Sequence, residues 1–117
     1  MSDATIDISH LQKYTAGDAA LLDEILGIFI EHAASCVGRL RVDMPDEAWK
    51  DVCHSLKGAA RGVGAWALGD AADQSEGLVS SLPDYERARE KALKSIRQSA
   101  RDAVEFAENL RRKVGAA

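Results

Sequence analysis

The sequence contains little proline and few aromatic residues. Its 117 residues include only two prolines, two cysteines, two phenylalanines, two tryptophans and two tyrosines. Alanine, leucine, glutamate, arginine and lysine are abundant and favour helix, and no window shows the alternation of a β-strand. A chain of this length suits one domain with a single core. We therefore expect an all-α, single-domain protein.

Several classes of protein and site are not expected from this composition. Cys36 and Cys53 lack any metal or redox spacing, so we expect buried, reduced thiols. No stretch approaches the roughly 20 apolar residues of a membrane span, and no basic segment followed by an apolar run begins the chain. We therefore expect a cytoplasmic protein that does not contact a membrane.

Charge is distributed unevenly along the chain. The formal net charge is −4, of which residues 1–44 carry −4, residues 45–82 carry −3 and residues 83–117 carry +3. Nucleic-acid binding is not expected, because the domain is acidic and its basic third interleaves cations with acids. The run Arg111-Arg112-Lys113 suits the negative end of a helix dipole.

Apolar spacing predicts one short helix and four longer ones. Together with capping signals it places them at residues 7–15, 18–42, 46–63, 65–81 and 84–114. Short turns between long helices favour an antiparallel up-down four-helix bundle, with the first helix as a cap. Residues 1–6 are expected to be frayed. The last helix would span about 45 Å at ~1.5 Å per residue, so its end could extend beyond the bundle.

The second helix carries a second apolar row beside its core stripe. This row consists of Leu21, Ile28 and His32. One neighbouring helix does not need so wide an apolar surface. We expect the first helix to cover the row, and a partner protein is the alternative.

The helix at residues 46–63 carries a histidine on its polar side. At 100° per residue, the apolar residues fall opposite His54. Within about 60° of His54 lie Glu47, Lys50, Asp51, Lys57, Gly58 and Arg61. His54 is therefore expected to face water or a partner. A metal site shared with Cys53 is not expected, because adjacent helical side chains diverge by about 100°.

The neighbours of His54 suit a particular chemistry. Gly58 occupies an exposed mid-helix position where alanine would be better by about 1 kcal/mol, so close approach of a partner could require it. Lys57 and Arg61 follow His54 by three and seven residues, and two cations suit a doubly charged phosphoryl group. Neutral imidazole is a nucleophile near pH 7.

A motif in this helix resembles the signature of histidine-containing phosphotransfer (HPt) domains, the helical phosphocarriers of bacterial two-component phosphorelays. It consists of His54-Ser55-Leu56-Lys57-Gly58-Ala59-Ala60, followed by Val63-Gly64-Ala65 and Leu68. The first helices are similar to the family at Ile6-Asp7, Leu11, Gly17-Asp18, Leu21-Leu22, Ile25-Leu26 and Phe29, and Glu76 falls where the family usually carries glutamate. Ser75 departs from the pattern, which favours a large apolar residue there, so we expect a weaker core contact.

The resemblance implies a phosphoryl carrier and acceptor without catalysis of its own. His54 would be phosphorylated on the ring nitrogen farther from the backbone, and Lys57 and Arg61 would hold the phosphoryl oxygens. Gly58 would admit the partner's backbone, while Glu47, Lys50 and Asp51 would tune recognition. The implied partners are response-regulator receiver domains and a hybrid sensor histidine kinase, which would dock on the second and third helices. No metal or cofactor of its own is expected, since the Mg²⁺ belongs to the receiver.

Alternatives remain open at this point. The chain could be a helical adaptor that binds receivers or other proteins without carrying phosphate, in which case His54→Gln would leave activity intact. It could also be a module excised from a larger hybrid kinase, although we expect a free-standing carrier. A monomer is expected, and the apolar excess on the second helix could instead serve a dimer. His10 and His32 have no ligand partners at usable spacing.

Overall fold

The computed structural model describes residues 5–116, which form five helices and no strand. The helices are α1 (Ile8–Thr15), α2 (Ala19–Arg39), α3 (Asp46–Val63), α4 (Trp66–Ser75) and α5 (Tyr85–Ala116). The last four pack as a bundle around one core, and α1 contacts α2. The predicted all-α bundle with a short capping helix is confirmed. Within the described range, no helix is both long enough and apolar enough to span a bilayer.

One apolar stripe of each bundle helix forms the core. The buried residues of α3 are Trp49, Val52, Cys53, Leu56, Ala60 and Val63. Facing them are small and aliphatic residues of α2 and α5, among them Leu26, Ala33, Cys36, Ile96, Ala103 and Ala107. Both cysteines are buried and free. Burial raises the pKa of the Cys53 thiol to about 12, so this cysteine is inert as a nucleophile.

The N-terminal segment closes the bundle where α3 turns into α4. Ile6 is fully buried, and the Asp7 N–H donates to the Gly64 carbonyl oxygen at 2.9 Å. Gly64 has φ 81°, and a Cβ added there would lie 2.9 Å from the Asp7 Cβ, so this position requires glycine. The prediction that residues 1–6 are frayed is therefore wrong for Ile6. Residues 1–4 lie outside the described part of the chain.

Two helices end earlier than the sequence predicted. Helix α2 ends at Arg39 and not at 42, and α4 ends at Ser75 and not at 81. The guanidinium of Arg89 explains both ends, because it binds carbonyl oxygens of the segments that follow α2 and α4. Its N–H groups donate to the carbonyl oxygens of Val42 at 2.9 Å, Met44 at 2.8 Å and Leu78 at 2.8 Å, and carbonyls aimed at a side chain are not aimed along a helix. The remaining bounds differ from prediction by two residues at most.

Arg89 is a fully buried cation. Its Nη2 lies 2.8 Å from Asp46 Oδ1, and its guanidinium stacks over the rings of Trp49 and Tyr85 at 4.6 and 5.0 Å from their centroids. Hydrogen bonds from Ser80, together with the charge of Arg89, lower the pKa of Asp46. Arg89 thus connects α5 to the start of α3 and to the segments that follow α2 and α4.

The C-terminal end of α5 lies along α2. Arg111 Nε donates to Asp23 Oδ1 at 2.9 Å, and the Arg111 guanidinium lies 3.3 Å from the position of a Cβ added at Gly27. The hydrogen bond from Arg111 lowers the pKa of Asp23. Arg111 therefore has a specific partner on α2, in addition to any interaction with the helix dipole.

Candidate functional site

His54 lies on the solvent-facing side of α3, and 73% of its side chain is exposed. The rotation of α3 is set by its buried face, where Trp49 is fully buried and its Nε1–H donates to the Ser75 carbonyl oxygen at 2.7 Å. This hydrogen bond also fixes the end of α4 against α3. The core therefore holds the α3 histidine and the last turn of α4 in a defined relation.

Ser75 is buried although it is polar. Its Oγ donates to the Ala71 carbonyl oxygen at 2.7 Å, and its own carbonyl accepts the Trp49 indole N–H. Both polar groups of this residue are thus satisfied inside the bundle. The departure from the family pattern leaves a hydrogen-bonded contact, and Glu76 follows directly after it in the chain.

Glu76 caps α4 and reaches across to α3. Its Oε1 lies 2.7 Å from Lys57 Nζ and 3.2 Å from His54 Nδ1. The hydrogen bond from Lys57, with a smaller contribution from His54, holds the pKa of Glu76 below its ordinary value of 4.5. An ionised carboxylate can only accept hydrogen bonds. His54 Nδ1 therefore donates to Glu76, and in the neutral ring the lone pair is on Nε2.

Carboxylates of α4 pair with both cations that were predicted to hold phosphoryl oxygens. Lys57 Nζ lies 3.1 Å from Asp73 Oδ1, in addition to its contact with Glu76, and only 16% of its side chain is exposed. Arg61 Nη2 lies 3.6 Å from Asp73 Oδ2 and 3.9 Å from Asp70 Oδ1. The hydrogen bonds that Lys57 donates to Glu76 and Asp73 raise the pKa of Lys57. Lys57 thus shares a carboxylate with His54, whereas Arg61 contacts only the other two acids.

The surface of α3 around His54 is open. Gly58 is exposed, and a Cβ added there would meet no atom within 4 Å. Glu47, Lys50 and Asp51 are exposed on the two preceding turns and form no ion pair with another described residue. The structure therefore places every predicted site residue on one side of α3, with Glu76 as an added contact from α4.

An apolar groove of about 470 Å³ runs between α2 and α3 beside His54. Its lining residues are Ile25, Ile28, Phe29, His32, Ser55, Ala59, Gly62 and Val63. Ile28 is 60% exposed, and His32 Nε2 lies 2.8 Å from Ser55 Oγ. The expectation that α1 covers the second apolar row of α2 is therefore wrong at Ile28 and His32. Helix α1 instead packs near the turn between α3 and α4, where His10 contacts the ring of Trp66 edge to face.

The sequence model of the Hpt domain matches residues 24–112, which is most of the chain. The chain belongs to the Hpt domain family. Hpt domains are phosphocarrier modules of two-component phosphorelays, so this protein has a phosphotransfer-related role in two-component signalling and interacts with two-component partners. Comparison with curated proteins and with solved structures found no match.

The match places the site within the Hpt domain and leaves α1 outside it. Sequence reasoning singled out the α3 residues of the site but did not assign roles to the acids of α4. Glu76 was noted only through its place in the family pattern, and Asp73 was missed. A signal was present, because Asp70, Asp73 and Glu76 recur every three residues and so share one face of a helix.

Proposed function

We propose that His54 accepts a phosphoryl group from an aspartyl phosphate of one receiver domain and passes it to an aspartate of another. The relay would begin at a hybrid sensor histidine kinase. The observation that carries this proposal is the exposed ring of His54, whose Nδ1 lies 3.2 Å from the Glu76 carboxylate and whose Nε2 makes no hydrogen bond to another described residue. Such a carrier would act as a monomer in the cytoplasm, with catalysis shared with the partner.

In the proposed step, a bond forms between His54 Nε2 and phosphorus while the bond from phosphorus to the aspartate oxygen breaks. The aspartate leaves as a carboxylate, and the His54 proton remains on Nδ1. The ring therefore gains positive charge as the new bond forms. Glu76 Oε1, 3.2 Å from Nδ1, lies where it offsets that charge. The reverse step restores the neutral ring.

Phosphoryl transfer depends mainly on positioning and charge neutralisation, which the rest of the α3 surface would supply. Lys57 stands one turn from His54, about 4.5 Å along the helix axis, and Arg61 stands about 10.5 Å along it. Lys57 is therefore the nearer candidate for the phosphoryl oxygens. The Mg²⁺ of the reaction would belong to the receiver, and this chain would need no metal or cofactor.

The receiver would dock over His54 and the groove between α2 and α3. Ile28 offers exposed apolar surface there, and Gly58 leaves the backbone of α3 open to close approach. Glu47, Lys50 and Asp51 would lie toward the rim, where charges mainly set encounter rate and exclude wrong partners. We expect a transient interface at the small end of the size range, below about 1,200 Å².

The direct test is phosphate transfer from each phosphorylated receiver domain of the source organism. The wild-type protein should gain one acid-labile, alkali-stable phosphoryl group, located on His54 by mass spectrometry. His54→Gln should lose all transfer, and His10→Gln is the matched control, since it removes a histidine of helix α1 that does not line the proposed docking groove. Phosphate on any other residue, or transfer retained by His54→Gln, would contradict the proposal.

The open groove also supports a second candidate, a helical adaptor that binds receivers without carrying phosphate. The adaptor would need the apolar surface of Ile28 but not the His54 ring. An Ile28→Asp variant should then abolish signalling while His54→Gln preserves it. Under the carrier proposal, both variants abolish signalling.

A further inference from the structure

Asp73 contacts both cations of the His54 side of α3. Its Oδ1 lies 3.1 Å from Lys57 Nζ and its Oδ2 lies 3.6 Å from Arg61 Nη2. One carboxylate on α4 therefore bridges the two cations that are proposed to hold the phosphoryl oxygens. Asp70 is a weaker partner, because it is 3.9 Å from Arg61 and its side chain is 68% exposed.

The acids of α4 outnumber the cations that they contact. Asp70, Asp73 and Glu76 face Lys57 and Arg61, so the cluster carries one excess negative charge before any phosphate is added. A phosphoryl group on Nε2 would bring about −1.5 to −2 charges to its edge. To be neutralised by Lys57 or Arg61, that group must take the cation from a carboxylate that already holds it.

One cation without an ion pair to another described residue remains on this face, but it is a weak partner for a phosphoryl group. The only other cation near His54 on α3 is Lys50, one turn before the histidine, and its side chain is exposed to solvent. Solvent screening weakens the attraction of such an exposed charge. Lys57, which is only 16% exposed, is the cation whose pairing matters most, and Asp73 and Glu76 hold it from both sides.

We propose that Asp73 is a positioning residue that holds Lys57 and Arg61 in the unphosphorylated protein, and that its competition for these cations makes His54 a ready phosphoryl donor. The inference rests on the proposed phosphorylation of His54 and deepens it. Glu76 also holds Lys57 but has a second part, since it contacts the ring at Nδ1 and would offset the charge of the ring during transfer. Asp73 contacts only the cations, so its removal strengthens the phosphorylated form.

The first experiment measures the restraint without phosphate. Limiting acetylation by an amine-reactive ester, followed by mass spectrometry, should label Lys57 more slowly than Lys50 in the wild-type protein. In Asp73→Asn the labelling of Lys57 relative to Lys50 should rise about threefold or more, while Asp73→Glu should restore the wild-type ratio. An unchanged ratio in Asp73→Asn would refute the restraint.

The second experiment measures the competition with phosphoramidate, a small donor that needs no docking. His54 Nε2 forms the bond to phosphorus, the P–N bond of phosphoramidate breaks, and ammonia leaves. Phosphorylation of Asp73→Asn should be about three- to tenfold faster than that of the wild type, and its transfer equilibrium with a receiver domain should shift toward phosphohistidine by a similar factor. Asp51→Asn removes one charge from the same side of α3 without an ion pair to either cation among the described residues, so it controls for general electrostatics.

The outcomes separate the two proposals. Equal gains in Asp73→Asn and Asp51→Asn would refute the specific role of Asp73. A rise in Lys57 labelling without any gain in phosphorylation would refute the competition. Failure of phosphoramidate and of every receiver to phosphorylate wild-type His54 would refute the proposed function, whereas the labelling result would still decide whether Asp73 restrains Lys57.

Discussion

Substitution of Gly58 by alanine should stabilise the protein against unfolding and slow phosphate transfer. Gly58 lies in the interior of α3, is exposed, and leaves open space around an added Cβ. Gly58→Ala should therefore raise the free energy of unfolding by about 0.5–1 kcal/mol, the helix-propensity difference between the two residues. With a urea m-value of about 2 kcal/mol/M, the midpoint of unfolding should rise by about 0.4 M.

The effect on phosphate transfer should have the opposite sign. In the proposed complex the receiver backbone contacts α3 at Gly58, so an added methyl group separates the two surfaces slightly. Gly58→Ala should slow transfer by a few fold. Gly58→Glu adds a longer side chain and a negative charge that repels an incoming phosphoryl group, so it should slow transfer by at least about a hundredfold, or about 2.7 kcal/mol.

The assay combines urea unfolding, followed by helical circular dichroism, with a time course of transfer from a phosphorylated receiver. Gly38→Ala and Gly38→Glu are matched controls, because Gly38 is also exposed with open space around an added Cβ but borders a groove between α2 and α5. Both controls should transfer at the wild-type rate. A folded Gly58→Glu that transfers normally would refute the close-approach argument, and a lower urea midpoint for Gly58→Ala would refute the stability argument.

Three further predictions concern the buried cation, the ring contact and acid stability. Arg89→Met should lower the free energy of unfolding by about 3–5 kcal/mol in urea titrations, because it strands Asp46 and buried carbonyl groups, whereas Met in place of the exposed Arg97 should change it by less than about 0.5 kcal/mol. Glu76→Gln should keep the Nδ1 hydrogen bond of His54 but lose the charge that offsets the ring, so transfer should slow about tenfold with an unchanged circular dichroism spectrum. The lowered pKa values of Glu76 and Asp46 mean that their stabilisation is fully present above their ordinary values of 4.5 and 3.8 and is lost as pH falls through the lower folded values. The urea midpoint of unfolding should therefore decrease as the pH falls below 4.5. An Asp46→Asn variant whose midpoint decreases as much as that of the wild type would contradict the assignment to the Asp46 carboxylate.

The sequence predicted the helical class because each helix follows the apolar period of 3.6 residues over several turns. Helix α3 shows this most clearly, since its bounds at Asp46–Val63 coincide with the predicted range of 46–63. The early ends of α2 and α4 could not be predicted in the same way. They depend on Arg89, whose partners are far from it in the sequence and whose burial is unusual for a charged residue.

The groove beside His54 could not be predicted from the apolar periodicity of the sequence either. The apolar row of α2 indicated excess apolar surface but not what covers it. That choice was decided by Gly64 and Asp7, whose backbone contact directs the N-terminal segment to the α3–α4 turn and leaves Ile28 exposed. Contacts of this kind join residues distant in sequence and have no periodic signature.

The pairing of Lys57 links the stability of the bundle to the proposed chemistry. A lysine that is only 16% exposed is costly to leave without a partner, so the free protein requires carboxylates beside it. The same carboxylates oppose a phosphoryl group on the neighbouring histidine. At Lys57, a phosphate on His54 would therefore replace an existing carboxylate partner and would not add to an unpaired cation. Under the proposed function, this exchange would keep the energetic difference between the free and phosphorylated forms small, which suits a carrier that both accepts and releases its group.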